Sequence, residues 1–389
     1  MDNVTHTLFA VTVGRTTLGR AGRGTTAALV LASNAPDVDI LSTLRGGTAN
    51  YMQWHRGPTH GPIGIVALGF VSAAIVWLWL RTLDARLEPS APADGARGFR
   101  RASFPMLFSM SMLMVAAHLL MDLPTSYGMR ILSPFDWHWY AFDWLPIIDM
   151  YLLIALAAGL LFGNRSMEAK RRNAAIVFVI MAANYGVRAV AHHQALVLAP
   201  RLFGPTLPRR CTDAPDTSAP LDSWPRTRNS ELRTRSLEPA TRNPLPATRC
   251  LIEIAALPTF TSPFDWRIVA QVSNGYEIHD VNVLDSRFRE PAAAGEVFWR
   301  QSVRYPNVWT PAVVHAAAGR VAQVFLGFSR FPAARVFTDN RGLTTVRFSD
   351  MRFAAGLIAL EQPTGRRSAF SVTVRLDPDG RILDESLGP

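Results

Sequence analysis

Lysine is nearly missing from this chain. Of its 40 basic residues only Lys170 is a lysine, and charged residues of both signs make up just 18% of 389 residues. The arginines are spread over both halves, so the net charge of +10 does not describe a nucleic-acid binder, which gathers its charge on one surface. Cysteine is scarce too. Two cysteines exclude a disulfide scaffold and a Cys-rich zinc module. No HExxH, CxxC or GxSxG sequence occurs. Lys170 follows Ala169 rather than glycine, which removes a P-loop, and Gly22-Arg23-Gly24-Thr25-Thr26-Ala27 opens no βαβ unit that would make it a dinucleotide fingerprint. No basic leader is read either: Asp2 follows Met1, no basic n-region is seen and the apolar stretch Val4 to Val13 is short, so no secretory signal peptide is expected.

What is present is apolar mass in blocks. Hydrophobic residues reach 49% and mean hydropathy is +0.11. Residues 61–80 carry no formal charge, 102–121 only His118, and 144–163 only Asp149. A fourth run over 174–199 passes through Arg188, His192 and His193. Runs of about 20 apolar residues span a bilayer as helices. The fold class expected is therefore an α-helical membrane domain of about four transmembrane helices over 1–199, followed by a small antiparallel all-β domain. Loop 81–101 and loop 164–173 are rich in arginine, while loop 124–143 holds only Arg130. The positive-inside rule puts the first two in the cytoplasm of an inner-membrane protein, and the N-terminus, loop 124–143 and the C-terminal domain outside. Arg15, Arg20, Arg23, Arg45 and Arg56 in the first 60 residues count against that orientation.

Residues 200–249 hold nine of the 27 prolines and read as a linker. After Cys250 the pattern turns to period two. Phe370, Val372, Val374 and Leu376 alternate before the turn 377–380. Residues 335–338 and 345–348 flank a turn at 339–342, and Asn274-Gly275 joins 268–272 to 276–281 as a hairpin. Cys211 and Cys250 flank the linker; they either pair, if outside the cytoplasm, or stay as thiols. His279 and His315 read as surface residues of the β domain.

The chemistry concentrates near the N-terminus. Seven of nine histidines fall in the first 193 residues. His118 and Asp122 are four apart on a predicted helix and share a face. They sit at a span's end, where a charge is costly unless paired or metal-bound. His55 and His60 flank Gly57-Pro58 in a loop, and loops carry ligands readily. Asp37 and Asp39 follow Pro36; two carboxylates so close repel unless a cation neutralises them. His6 precedes the first span, and His138 lies in the loop after the second. All map to one membrane face. Singly, each has a plain alternative, such as a helix cap for Asp37 or Asp39, or an aromatic belt for Trp137 to Tyr140.

The Asp2…Thr5-His6 start, the Ala35-Pro36-Asp37-Val38-Asp39 element, the His55-Arg56-Gly57-Pro58-Thr59-His60 box and the His118…Asp122 pair resemble the LexA-binding, inner-membrane-associated hydrolases, also called membrane-bound metal-dependent hydrolases. The resemblance covers roughly residues 1–200, and the β domain and linker lie outside its core. It implies a metal-dependent hydrolase. The His/Asp pattern is also distantly similar to the zinc-dependent phospholipase C and P1-nuclease type.

The expected function is hydrolysis by a metal-activated water. His6, Asp37, Asp39, His55, His60, His118 and Asp122 are the candidate ligands, for zinc first and for manganese or iron otherwise, with two ions possible because seven ligands exceed one tetrahedral shell. Arg56 is the candidate clamp for a phosphate or carboxylate oxygen, Thr59 a donor to substrate or to His60, and Asp136 or His138 a proton carrier or further ligand. An interfacial site suggests a membrane lipid or lipid-linked phosphoester as substrate, with no nucleic-acid partner. Two rival readings stand: a transporter lined by Asp149, Arg188 and His118, and a membrane anchor for a β-type interaction domain. Arg188 itself either balances Asp149 or grips an anionic substrate. The oligomeric state is not legible.

Overall fold

Long apolar runs free of breakers become helices. The computed structural model describes residues 1–87, 101–162, 166–202, 226–227, 250–273, 275–285, 303–307, 309–353 and 370–388. In chain order the helices are α1 (Asn3–Gly14), α2 (Thr25–Asn34), α3 (Thr43–Trp54), α4 (Pro62–Leu87), α5 (Phe104–Asp122), α6 (Met150–Leu161), α7 (Met167–Leu202), α8 (Pro311–Ala317) and α9 (Arg320–Phe328). Two compact units result: Met1–Ile40 with His55–Arg188, and Leu41–Trp54 with Ala189–Pro389.

Helices α4 and α5 of the first unit, and α7, whose residues from Ala189 onward belong to the second unit, are long and apolar enough to cross a membrane. They match the runs 61–80, 102–121 and 174–199. The run 144–163 gives only the 12-residue α6. Its start is set by Asp149, whose carboxylate accepts the backbone N–H of Leu152 at 2.9 Å and caps the helix. Twelve residues make a helix of about 18 Å, short of the ~30 Å hydrocarbon core. Arg188, the charge inside the fourth run, is fully buried, and its Nε lies 2.6 Å from Asp149 Oδ2.

Two short helices that the hydropathy runs do not reveal complete the bundle. Asp2 caps α1 by accepting from the Thr5 N–H at 3.0 Å. Helices α1 and α2 form an antiparallel pair; α2 packs on α5 and α4, and α1 on α6. Their core is Ala10, Leu29, Ala32, Met114, Val115 and Leu119. Gly24 enters α2 at φ 97°, and a Cβ there would meet the Leu80 side chain at 2.5 Å. The turn between them reaches one end of the bundle. There Arg15 Nη1 donates to the Gly159 carbonyl at 3.2 Å, near the end of α6. The Ala102 N–H, just before α5, donates to the Arg23 carbonyl at 3.3 Å. Arg23 and Arg101 both pair with Asp84 near the end of α4. Asp122 and Asp149 mark the opposite end, where α5 finishes and α6 begins. Helix α6 thus runs between the two ends in spite of its length, helped by the irregular segment 141–149 before it.

Besides the two-residue strand Arg226–Thr227, the second unit carries eight strands among its described residues: β1 (Leu251–Pro258), β2 (Asp265–Val272), β3 (Gly275–Asn282), β4 (Val303–Pro306), β5 (Pro332–Thr338), β6 (Thr344–Asp350), β7 (Ser371–Leu376) and β8 (Ile382–Leu387). They make two four-stranded antiparallel sheets, each in chain order. The hairpins at 339–342 and 377–380 form as the sequence predicts, with Gly342 at φ 78° and Gly380 at φ 82°. Asn274 lies outside the described residues, as do Cys211 and almost all of 200–249. Ala191, Ala195 and Ala199 of α7 cover one face of the first sheet through Trp266, Ile268 and Ala270. Phe331, Ala333 and Met351 pack with Val269, Tyr276 and Ile278 in another cluster. With strands on either side and these clusters around the sheet, β3 is buried along most of its length, and His279 is buried rather than at the surface. His315 is exposed. Helices α8 and α9 had no counterpart in the period-two pattern. The Glu385 carboxylate caps α9, accepting from the Val321 and Ala322 N–H groups at 2.9 and 3.0 Å.

Candidate metal centre

Four segments of the first unit deliver the cluster. Helix α1 carries His6 one turn beyond its Asp2 cap. Helix α5 ends on His118 and Asp122, one turn apart on one face. The end of α2 runs into a 3₁₀ stretch, Ala35–Ser42, that holds Asp37 and Asp39. The His55–His60 box turns sharply: Arg56 sits at φ 52°, a left-handed conformation that a residue with a Cβ resists. That strain is held by neighbours. The Arg56 N–H donates to Asp39 Oδ2 at 2.9 Å, its Nη1 to the Gly128 carbonyl at 2.9 Å, and its Nη2 lies 3.0 Å from Asp122 Oδ2. Its guanidinium also covers the Tyr127 ring at 4.6 Å.

The inner groups converge. His60 Nε2 and His118 Nε2 are 3.3 Å apart. Asp37 Oδ1 is 3.6 Å from the first and 3.8 Å from the second. Asp122 Oδ2 is 3.5 Å from His118 Nε2 and 3.8 Å from His60 Nε2. The His6 ring stacks on His118 at 3.8 Å between centroids, with its Nε2 3.4 Å from Asp122 Oδ1. The Met1 amino group contacts the same Oδ1. Two sets, His6–His118–Asp122 and Asp37–His60–His118, each bring ligand atoms within 4.8 Å of one another. His6, His60, His118 and Asp122 have no solvent exposure.

Tautomers follow from the partners. His118 Nδ1 lies 2.7 Å from the Ser33 carbonyl, which only accepts, so Nδ1 carries the proton and Nε2 a lone pair. His60 Nδ1 faces Thr59 Oγ1 at 3.0 Å and Asp39 Oδ2 at 3.7 Å, so the Asp39 carboxylate favours the same arrangement. In that arrangement the two Nε2 lone pairs lie 3.3 Å apart, which is repulsive unless a cation bridges them. Tetrahedral bonds of ~2.0–2.1 Å give edges of about 3.3–3.4 Å, close to this separation. Burial pushes the His6 and His60 imidazoles well below their ordinary range, helped by His118 for His6 and by Arg56 for His60. Burial also lowers His55, against the pull of Asp39. Neutral imidazoles are the form that binds metal. Neither ring nitrogen of His6 has a hydrogen-bond partner among the described residues. The donor set fits a divalent ion such as zinc.

Asp39 and His55 stand one step out. His55 Nδ1 lies 3.1 Å from Asp39 Oδ2, and Asp39 ties this histidine, Arg56 and His60 together. Thr59 Oγ1 lies 3.0 Å from His60 Nδ1. Arg56, expected to clamp substrate, instead directs its guanidinium to Asp122 and Gly128. The expected proton carriers are not brought in: Asp136 and His138 pair with each other, Tyr140 donates to Asp136 at 2.6 Å, and no hydrogen bond or ion pair of theirs among the described residues reaches the cluster. The Tyr140 bond, first among several causes, lowers the Asp136 carboxyl to about 2. Four contributors escaped the sequence reading: the Met1 amino group, the Ser33 carbonyl, Tyr127 and Gly128. Only Tyr127, an aromatic just beyond a span, carried any signal.

The family model described as YdjM inner membrane protein matches residues 1–195. A Bacillus subtilis (strain 168) protein, the uncharacterized protein YfhP, is 24% identical over 168 residues, which cover 41% of this chain and 45% of that relative. The chain thus matches less than half the length of this curated relative. No solved structure matches the chain.

Proposed function

Because the chain belongs to the YdjM inner membrane protein family, we propose that its buried cluster is the metal centre of a membrane-bound metal-dependent hydrolase. The observation that carries this reading is the approach of His60 Nε2 and His118 Nε2 to 3.3 Å beside two carboxylates. His60, His118, Asp37 and Asp122 would hold the ion, with His6 stacked alongside. A bound zinc supplies hydroxide near neutral pH, because it lowers the pKa of a coordinated water toward 7. Asp39, Thr59 and the Ser33 carbonyl hold the ligand imidazoles in the binding tautomer. Arg56 offsets the negative charge of Asp122. The substrate class is a lipid or lipid-linked phosphoester, supported by the cluster's place at the end of a membrane-spanning helix. The transport reading loses two of its path-lining charges, since Asp149 and Arg188 bind each other.

Zinc-loaded protein in phospholipid vesicles is expected to release phosphate or headgroup from lipid phosphoesters, and His60→Ala protein to release none. A fully metal-loaded sample that leaves a panel of lipid phosphoesters and carboxylesters intact sinks the hydrolase reading.

The cluster's proposed side is extracytoplasmic. Arg15 and Arg23, an objection to that orientation in the bare sequence, sit with Arg101 and Asp84 at the far end of the bundle. Arg56 belongs to the cluster and Arg45 to the second unit. The basic end then faces the cytoplasm. A membrane-impermeant maleimide is expected to label Thr17→Cys only after spheroplasts are opened; labelling of intact spheroplasts at that residue reverses the orientation.

A further inference from the structure

Helices α4 and α5 pack side by side, and a seam of aromatic rings runs along the line between them. Phe70 and Trp77 of α4 both meet Phe104 of α5 edge-on, at 5.6 and 5.8 Å between centroids, and Phe70 also meets Phe108 at 6.0 Å. Seven residues of helix set Phe70 and Trp77 about 10 Å apart along the bundle. The rings are not closed off by protein: Phe70 is 51% exposed, and Trp77, Phe104 and Phe108 are half-buried.

The seam ends in charge. Arg81, one turn beyond Trp77, lays its guanidinium over the indole, with Cζ 4.2 Å from the ring centroid. Arg101, just before α5, brings its Cζ to 5.9 Å from the same ring. Arg101 shares Asp84 with Arg23. The Arg81 side chain is exposed, and among the described residues its guanidinium forms no hydrogen bond or ion pair. Three guanidinium groups are thus linked through one carboxylate and one indole. Cations held together in excess repel one another unless an anion joins them. Guanidiniums stacked on an indole are also set in advance for an oxygen anion, because the planar fork loses little freedom when it bonds phosphate oxygens.

The place of these groups says which anion. The apolar run 61–80 ends one residue before Arg81, so the arginines stand where acyl chains give way to headgroups. Basic pockets between spanning helices at that level take the headgroups of anionic phospholipids.

We propose that the α4–α5 seam binds one anionic phospholipid, with its phosphate between Arg81 and Arg101 and an acyl chain along Trp77, Phe104 and Phe70. The ammonium of a zwitterionic headgroup is disfavoured there by the surplus positive charge. The site lies at the end of the bundle opposite Asp122 and the metal centre, so this lipid is a bound partner and not the proposed substrate.

The test is native mass spectrometry of the full chain in detergent micelles holding equal amounts of phosphatidylglycerol and phosphatidylcholine. One phosphatidylglycerol is expected to stay on the unaltered protein, severalfold in excess of phosphatidylcholine. Arg81→Gln is expected to remove most of that preference while leaving the Asp84 ion pairs in place, and Arg81→Gln with Arg101→Gln to abolish it. Equal retention of the two lipids by the unaltered protein overturns the proposal, and so does a preference that survives both substitutions. An equal loss in Arg86→Gln overturns it as well. Arg86 is exposed and makes no ring contact or ion pair among the described residues, so that result means diffuse attraction rather than a site. Displacement of the phosphatidylglycerol by excess inorganic phosphate assigns the arginines to free phosphate and overturns the lipid.

Discussion

Detergent-purified His118→Ala protein is expected to contain almost no bound metal, against near-stoichiometric metal in the unaltered chain, while still fractionating with the membrane. His118 is the one residue common to both ligand sets. Its loss removes a lone pair that the Ser33 carbonyl aims at the centre. Asp122→Asn is expected to lose metal as well, but it also strips Arg56 of a buried partner, so His118→Ala is the cleaner variant. Asp39→Ala should behave differently. Asp39 orients His60 and His55 rather than lying among the inner groups, and such outer partners are typically worth about 10–100-fold in metal affinity. The graded outcome is the useful part: elemental analysis shows an empty centre in one variant and a weakened one in the other. Full metal in His118→Ala would remove this histidine from the centre and leave the facing lone pairs without their explanation.

Asp149→Ala is expected to cost about 3–5 kcal/mol of stability, the penalty for leaving a buried charge without its partner. Asp149 and Arg188 are both fully buried and lie 2.6 Å apart. The substitution also removes the N-cap of α6, worth about 1 kcal/mol more. Against a total stability of roughly 5–15 kcal/mol this is severe. Thermal unfolding in detergent measures it. Replacing both partners, as Asp149→Ala with Arg188→Met, should recover a large part of the loss, because no uncompensated charge remains. An unchanged unfolding midpoint in Asp149→Ala would mean that water already solvates the pair.

The long helices were legible because twenty apolar residues in a row admit few other structures. Helices α1 and α2 were not. At 12 and 10 residues they are too short for a hydropathy window, and they join the bundle by packing on α6 and α5. That is why Arg15 and Arg23 looked out of place in the sequence and sit with Arg101 and Asp84 in the fold. Likewise the run 144–163 hid its boundary, since Asp149 reads as an intruder in a span until its capping bond to Leu152 is seen. In the cluster, the residue types and spacing pointed to His6, Asp37, His60, His118 and Asp122 together. They did not separate these from Asp39 and His55, because a carboxylate two residues along the chain looks the same until the 3₁₀ stretch turns it elsewhere. Asp136 and His138 had the right chemistry, and only the geometry of loop 124–143 turns them toward Tyr140 and each other.

The oxygen that sets the protonation of His118 belongs to the main chain of Ser33. Every amino acid brings that oxygen, so the orientation of the imidazole does not depend on the side chain at position 33, whose buried hydroxyl makes a separate bond to the His6 carbonyl at 2.8 Å. The constraint is inherited instead by the path of α2, and it would surface only as intolerance to insertions or deletions that shift the helix end by a residue.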